Sequence, residues 1–338
     1  MLEKPDLEDE ALTAHLQGAY TLPIVRAEFL PLGADPDTAV YRAVAADGTP
    51  YFVKLRRGVF DEASVTLPRY LSEHGVEHII APLPAKNGQL WTTLSAFTVI
   101  LYPFVAGKSG YEVPLTKENW RALGSTLRRL HTLNVPPPLL RRVRREGFEA
   151  NGRDKVKAFL SRLEPTAFAD DTARETAAFM QARRADLVGL VRHAERFART
   201  LQGRALEWVV CHADLHAGNL LLDGTGFYIV DWDDPILAPK ERDLMFIGGG
   251  QGFAGYTPAE EARLFYEGYG QVQVDPIVLA YYRFERIVQD VAVYCDELTH
   301  HSRSSEDREQ SLRYLKANFV PGGTVERAYA ANATLAEG

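Results

Sequence analysis

Cysteine is nearly absent from this chain: Cys211 and Cys295 are the only two in 338 residues. Two thiols build neither a disulfide framework nor a cysteine-based zinc site, so both are expected to be reduced and buried. Long apolar runs are missing too. The most apolar stretch, Phe97 to Ala106, is far shorter than the ~20 residues a membrane-spanning helix needs, so no membrane partner is expected. There is no surplus of positive charge: 38 Lys and Arg stand against 45 Asp and Glu, a formal charge of −7. That balance argues against a nucleic-acid partner. The arginines between Arg141 and Arg145 then read as a solvated face. No basic-then-apolar leader opens the chain, since Met1 to Glu10 is acidic, and a cytoplasmic location is expected. A glycine-rich phosphate loop is also lacking. Leu32-Gly33-Ala34-Asp35 is the one candidate for a loop over phosphates, and it holds a single glycine, Gly33.

What is present is ordinary globular material, 46% hydrophobic and 25% charged, in a chain long enough for two cores. The first hundred residues read as a small sheet with one helix. Ile24 to Leu30, Ala39 to Ala45 and Tyr51 to Leu55 are β-prone, and Asp47-Gly48 is a hairpin turn between the last two. A helix is expected from about Asp61 to His74 despite Pro68, followed by strands at Leu90 to Thr93 and Thr98 to Tyr102. Tyr102 to Gly107 then reads as a hinge, dividing the chain at about residue 105.

Beyond the hinge the pattern turns helical. Thr116 can cap a helix whose Trp120, Leu123, Leu127 and Leu130 share one face. Asp171 to Leu201 supplies at least one more helix. Thr257-Pro258-Ala259-Glu260 combines a cap, a first-turn proline and a capping-box glutamate, and Asp275-Pro276 opens the next helix. The small, polar tail from Ala328 is expected to fray.

Val209 to Asp234 is the stretch that bears chemistry. It sets His212, Asp214 and Asn219, then Asp231 and Asp233, in an order that suits phosphoryl transfer. A β-prone run, Trp208 to Cys211, precedes the loop, and another, Phe227 to Val230, runs into Asp231. The turn Asp223 to Gly226 lies before that second run, so Asp214, Asn219 and Asp231 are expected at neighbouring strand ends. Asp214 would accept the proton of an attacking hydroxyl. Asn219 and Asp231 would offer oxygen ligands to magnesium. His212 is read as holding the loop and His216 as structural or solvent-facing. His212, Asp214 and His216 also resemble a metal-hydrolase ligand set, which no second histidine cluster supports; His300-His301 stands alone among polar residues.

Phosphoryl transfer also needs a phosphate-binding lysine. Lys54, in Tyr51-Phe52-Val53-Lys54-Leu55, sits on a predicted strand where packing does not call for one. Its carboxylate partner is expected on the following helix, Glu62 first and Glu73 second.

Lys54, the hinge Tyr102-Pro103-Phe104-Val105, His212-x-Asp214-x₄-Asn219 and Asp231-x-Asp233 together resemble the aminoglycoside phosphotransferase family, a branch of the protein-kinase-like fold. The runs Ile229 to Gly250, Phe265 to Gly270 and Tyr281 to Tyr294 resemble its spectinomycin-phosphorylating members. That resemblance implies an α+β, bilobal protein-kinase-like fold. A small antiparallel sheet lobe with one helix, residues 1–105, would bind nucleotide, and a larger helical lobe, 106–338, would carry the catalytic loop and substrate. It implies transfer of a γ-phosphate, from ATP before GTP and with Mg²⁺, to a hydroxyl of an aminocyclitol or aminoglycoside. Asp214 would be the base, Asn219 and Asp231 the metal ligands, and Lys54 the α/β-phosphate contact. The backbone at Tyr102, Pro103, Phe104 and Val105 would read the adenine edge. Asp233, Asp234, Glu285 and Asp290 are candidate partners for substrate ammonium groups, with Tyr266, Tyr281 and Tyr282 as stacking faces. The alternatives are a kinase for another amino-alcohol or a sugar, and a nucleotide-binding module without turnover.

Overall fold

The computed structural model describes residues 4–33, 35, 37–168, 170–249, 254–299 and 305–336. His300, His301, Ala34 within the Leu32-to-Asp35 run and Gly250 at the end of the Ile229-to-Gly250 run lie outside them. The chain folds into two compact units. The first takes residues 1–119, 126–144 and 214–235; the second takes 120–125, 145–213 and 236–338.

The first unit is built on a five-stranded antiparallel sheet in the order β1-β2-β3-β5-β4. Its strands are β1 (Ile24–Leu30), β2 (Thr38–Ala45), β3 (Pro50–Arg57), β4 (Thr92–Leu94) and β5 (Phe97–Pro103). The expected Asp47-Gly48 turn closes β2 onto β3, with Gly48 at φ 87°. Strand alternation sorts the two faces. Tyr41, Ala43, Val53, Leu55, Val99 and Leu101 are buried together with Leu12 and Leu16 of helix α1 (Asp9–Ala19). That helix was not expected. Its stripe is only two leucines long, and its burial comes from the sheet it covers rather than from its own periodicity. On the opposite face, the β3–β5 register sets Phe52 beside Tyr102, Lys54 beside Ile100 and Arg56 beside Thr98.

Helix α2 (Ala63–Glu73) follows β3 and keeps Pro68, buried, inside it. Pro68 has no N–H to give the preceding turn, which weakens but does not end the helix. Past the hinge, the two-residue strand β6 (Lys108–Ser109) pairs with β9 (Leu220–Leu222), and β9 forms a hairpin with β10 (Phe227–Ile229). Helix α3 (Lys117–Thr132) starts on the expected Thr116 cap, where Asn119 completes a capping box. Between α3 and the second unit's helices lie α4 (Pro137–Leu140) and the short β7 (Arg144–Arg145).

The second unit is mostly helical: α5 (Asn151–Arg162), α6 (Asp171–Ala182), α7 (Arg184–Leu201), α8 (Glu241–Leu244), α9 (Pro258–Tyr269), α10 (Pro276–Thr299), α11 (Ser305–Ala317) and α12 (Thr324–Ala336). Asp171 to Leu201 divides into α6 and α7 at Arg183, which leaves helical geometry at ψ 13°. Thr257 and Glu260 form the expected capping box of α9. The tail does not fray at Ala328. It belongs to α12, which packs on α10 with Ala328 fully buried; small residues permit the close approach. Strands β8 (Val209–Cys211) and β11 (Ile236–Ala238) pair antiparallel and frame the chemistry-bearing loop. No helix among the described residues is long and apolar enough to cross a membrane.

Candidate active site

The loop after β8 starts from two backbone amides held by one carboxylate. Asp243 of α8 is fully buried; its Oδ2 accepts from the His212 amide at 3.0 Å and its Oδ1 from the Ala213 amide at 2.7 Å. Ala213 takes a left-handed φ of 74°, which a β-carbon disfavours unless neighbours enforce it. Asp214 follows at once. Sequence reading missed Asp243. In the sequence it is the last of four charged residues, Lys240-Glu241-Arg242-Asp243, which read as a solvated turn and give no hint of a partner some thirty residues upstream.

Asp214 is partly exposed, with 39% of its side chain accessible. Its backbone carbonyl accepts from Asn219 Nδ2 at 2.7 Å. His216 Nδ1 accepts from the Gly218 amide at 3.0 Å, with the Tyr111 hydroxyl also 3.0 Å away. The proton on that ring therefore sits on Nε2, 3.6 Å from Asp214 Oδ2. So His216, read as structural or solvent-facing, stands directly beside the candidate base. Tyr111 stacks on its ring and had drawn no notice in the sequence.

The β9–β10 hairpin explains how Asn219 and Asp231 meet. Leu220 faces Ile229 in the register, and the Val230 amide donates to the Asn219 carbonyl at 3.0 Å. Asn219 and Asp231 therefore leave the hairpin at the same end. Asp223 closes its turn by accepting from the amides of Thr225 and Gly226. Trp232 is buried and donates its indole N–H to the Ile229 carbonyl at 3.1 Å, pinning the Asp-Trp-Asp run while Asp231 adopts a φ of 64°. A second clamp comes from the post-hinge strand: the Gly110 amide donates to the carbonyls of Ala217 and Leu220, both at 2.9 Å. A β-carbon at Gly110 would lie 2.6 Å from the Ala217 carbonyl oxygen, so glycine is required for that approach.

Lys54 reaches the same place from β3. Its Nζ lies 2.9 Å from Asp231 Oδ1 and 2.6 Å from Asp233 Oδ1, and Arg56 Nη1 lies 3.2 Å from Asp233 Oδ2. Burial alone would lower the Lys54 pKa. The carboxylates of Asp231 and Asp233 more than offset it and hold the ammonium above its ordinary range. Burial likewise pushes the nearby Tyr102 phenol up, with Lys54 opposing. Gly33, at φ 93°, lies in the β1–β2 connection, where Asp35 accepts from the Asp37 amide and the Thr38 hydroxyl. At the hinge, Pro103 is exposed and Phe104 and Val105 half-buried, with the Arg42 guanidinium 5.2 Å from the Phe104 ring centre.

Three expectations need correction. Glu62 does not pair with Lys54. Its carboxylate takes Arg142 at 2.6 Å, both side chains about half exposed, while Glu73 takes Arg69 along α2. Lys54 finds its acceptors after β10 instead. Glu285 is not placed to greet a substrate: its side chain is 4% exposed and is paired with Arg153 at 3.2 Å. Burial pushes its carboxyl up to about 7. Asp290 pairs with Arg286 one turn away on α10, and Tyr266 is half-buried. Tyr281 and Tyr282 are buried within the second unit and present no open stacking face. Asp234 remains exposed.

Asn219 and Asp231 are hard oxygen donors at one hairpin end, and Asn219 has its nitrogen turned to Asp214. That donor set fits a hard divalent cation. With a half-exposed acid, a half-buried lysine and those oxygens gathered in one unit, the arrangement suits transfer of a phosphoryl group to a hydroxyl. Residues 27–272 match the model of the phosphotransferase enzyme family, APH. The chain belongs to that family. It is a phosphotransferase with the kinase-like fold of that family, and the metal-hydrolase alternative falls away. Among its relatives, Protein StrN of Streptomyces griseus is 30% identical over 252 residues, 70% of this chain and 73% of that one. A solved spectinomycin phosphotransferase, APH(9)-Ia, in complex with ADP and spectinomycin, is 36% identical. It superposes with a TM-score of 0.89 over 97% of this chain and 99% of that one. An amicoumacin kinase, 16% identical over 94% of this chain and 95% of that one with a TM-score of 0.60, shares the fold.

Proposed function

We propose that this phosphotransferase moves the γ-phosphate of ATP to a hydroxyl of an aminocyclitol, spectinomycin before any other, in the cytoplasm where ATP is supplied. The observation that carries the reading is the 36% identity to APH(9)-Ia, spread over 97% of the chain rather than confined to the catalytic loop. A likeness that runs through nearly the whole chain, beyond the Asp214 loop, supports a shared substrate class in a way that a shared fold alone does not.

In this reading Asp214 orients the acceptor hydroxyl and takes its proton as the bond to phosphorus forms. His216, with Nε2–H toward Asp214, steadies that carboxylate. Lys54 meets the α- and β-phosphates. The hinge backbone from Tyr102 to Val105 reads the adenine edge, and Gly33 lies in the loop over the phosphates. Asn219 and Asp231 hold Mg²⁺, which when bound shields the charge of the phosphates. Asp234 is the exposed carboxylate left to meet a substrate ammonium group.

The test is ATP consumption by the purified protein with spectinomycin added, run beside a panel of other aminocyclitols, aminoglycosides and amino-alcohols. Drug-dependent ADP release with phosphorylated spectinomycin in the mass spectrum is the expected result. Turnover only with choline-like or other amino-alcohols would replace the substrate and keep the kinase.

A further inference from the structure

Strand β3 carries two cations on one face. Lys54 and Arg56 are two residues apart, so their side chains emerge on the same side of the sheet, away from the Val53 and Leu55 core. Both reach Asp233, one to each carboxylate oxygen: Lys54 at 2.6 Å to Oδ1 and Arg56 at 3.2 Å to Oδ2. Asp233 is held from two sides. Asp231 differs: its contact with Lys54 is longer, 2.9 Å, and its side chain is 50% exposed against 23% for Asp233.

We propose that Asp233, clamped by Arg56, is the carboxylate that positions Lys54 for the nucleotide, the task expected of Glu62. This rests on the reading of Lys54 as the phosphate-binding lysine. A lysine side chain has four rotatable carbons and must be held from beyond its own strand to meet phosphates in one place. Of its two acceptors, Asp231 is the exposed one and the one a cation would draw away. Asp233 then keeps Lys54 in place, and Arg56 keeps Asp233. Buried Arg56 Nε finds no acceptor among the described residues, so Asp233 is the close anchor of that guanidinium; Asp35 lies 3.9 Å off. Glu62 has the opposite character. It is a half-exposed member of a surface pair with Arg142, the kind of contact that contributes little.

The test uses the full-length protein and Mg²⁺–ADP binding by calorimetry, which does not depend on the acceptor, beside the KM for ATP. Asp233→Asn should weaken ADP binding and raise the KM for ATP by about tenfold or more, as loss of a residue that orients a ligand-binding group does. Arg56→Gln should move the same two quantities in the same direction by less. Glu62→Gln should change either by less than about twofold. In a Lys54→Met background, Asp233→Asn should cost nothing further, because its effect runs through the lysine. A merely structural Asp233 would cost the same in both backgrounds, and that result overturns the proposal. So does a loss carried by Glu62→Gln with Asp233→Asn neutral. If Lys54→Met itself leaves ADP binding intact, the reading of Lys54 falls and the proposal with it. If Lys54→Met weakens binding and Asp233→Asn does not, only the proposal falls. Should Asp233→Asn fail to fold, Arg56→Gln and its coupling to Lys54→Met carry the same test.

Discussion

Asp243 offers the sharpest check on how the loop that bears Asp214 is held. Replacing it with alanine removes both acceptors of the His212 and Ala213 amides, at 3.0 and 2.7 Å, from a site with no solvent to take their place. Each buried N–H left without a partner costs about 1–3 kcal/mol, so the two together cost about 2–6 kcal/mol. Relief of burying a carboxylate works against this and lowers the net destabilisation of Asp243→Ala to about 1–5 kcal/mol. Asp243→Asn retains one acceptor but turns an N–H₂ toward the other amide, and should lose about half as much. Turnover should fall further than stability explains, because those two bonds hold Ala213 at φ 74° and set the direction in which Asp214 leaves the strand. Urea unfolding gives the first quantity, with an unchanged m-value certifying that stability alone has moved. The second is kcat measured at a urea concentration and temperature where the variant remains folded. If Asp243→Ala unfolds within about 1 kcal/mol of the parent and keeps its kcat, the amide clamp is not what shapes this loop.

Three further outcomes are expected. Asp214→Asn should cut kcat by about 10²–10⁴ while ADP binding, measured by calorimetry, stays within about twofold; equal losses in both would place Asp214 in nucleotide binding instead. Gly110→Ala forces a β-carbon to 2.6 Å from the Ala217 carbonyl and should destabilise by about 1–3 kcal/mol in thermal or urea unfolding, with activity reduced. Buried Glu261 is pushed up from 4.5 to about 7, with Arg327 opposing, so the unfolded chain ionises it at lower pH than the folded one. Its burial therefore costs nothing below about pH 4.5, and the penalty grows as pH rises to about 7 and is full above that. Glu261→Gln should accordingly raise the unfolding midpoint at pH 8 and leave it unchanged at pH 4.5; equal effects at both would show that ionisation is not involved.

Much of the fold could be read from local pattern. Strand β1 runs from Ile24 to Leu30 as expected, β2, β3 and β5 fall within a few residues of their expected spans, and Thr116 and Thr257 cap the helices they were expected to cap. These features rest on interactions within a few residues, where sequence spacing equals spatial spacing. The misses share the opposite cause. Helix α1 and helix α12 owe their burial to surfaces supplied by the sheet and by α10, so their own periodicity carried little signal. Asp243 and Tyr111 act on residues about thirty and a hundred positions away, and nothing in the chain marks the pairing.

The site divides along the same line. Which residue types suit phosphoryl transfer, and in what order along the chain, is a matter of chemistry, and identity and spacing alone put forward Asp214, Asn219, Asp231 and Lys54 for it. Which carboxylate meets the lysine is a matter of where a hairpin and a strand come to rest. Glu62 is 8 residues from Lys54 and Asp233 is 179 away, yet Asp233 makes the contact. The α2 helix turns Glu62 outward to Arg142, while the β9–β10 register delivers Asp233 beneath β3. A sequence ranks partners by proximity along the chain; an ion pair forms between the groups that packing brings within about 4 Å.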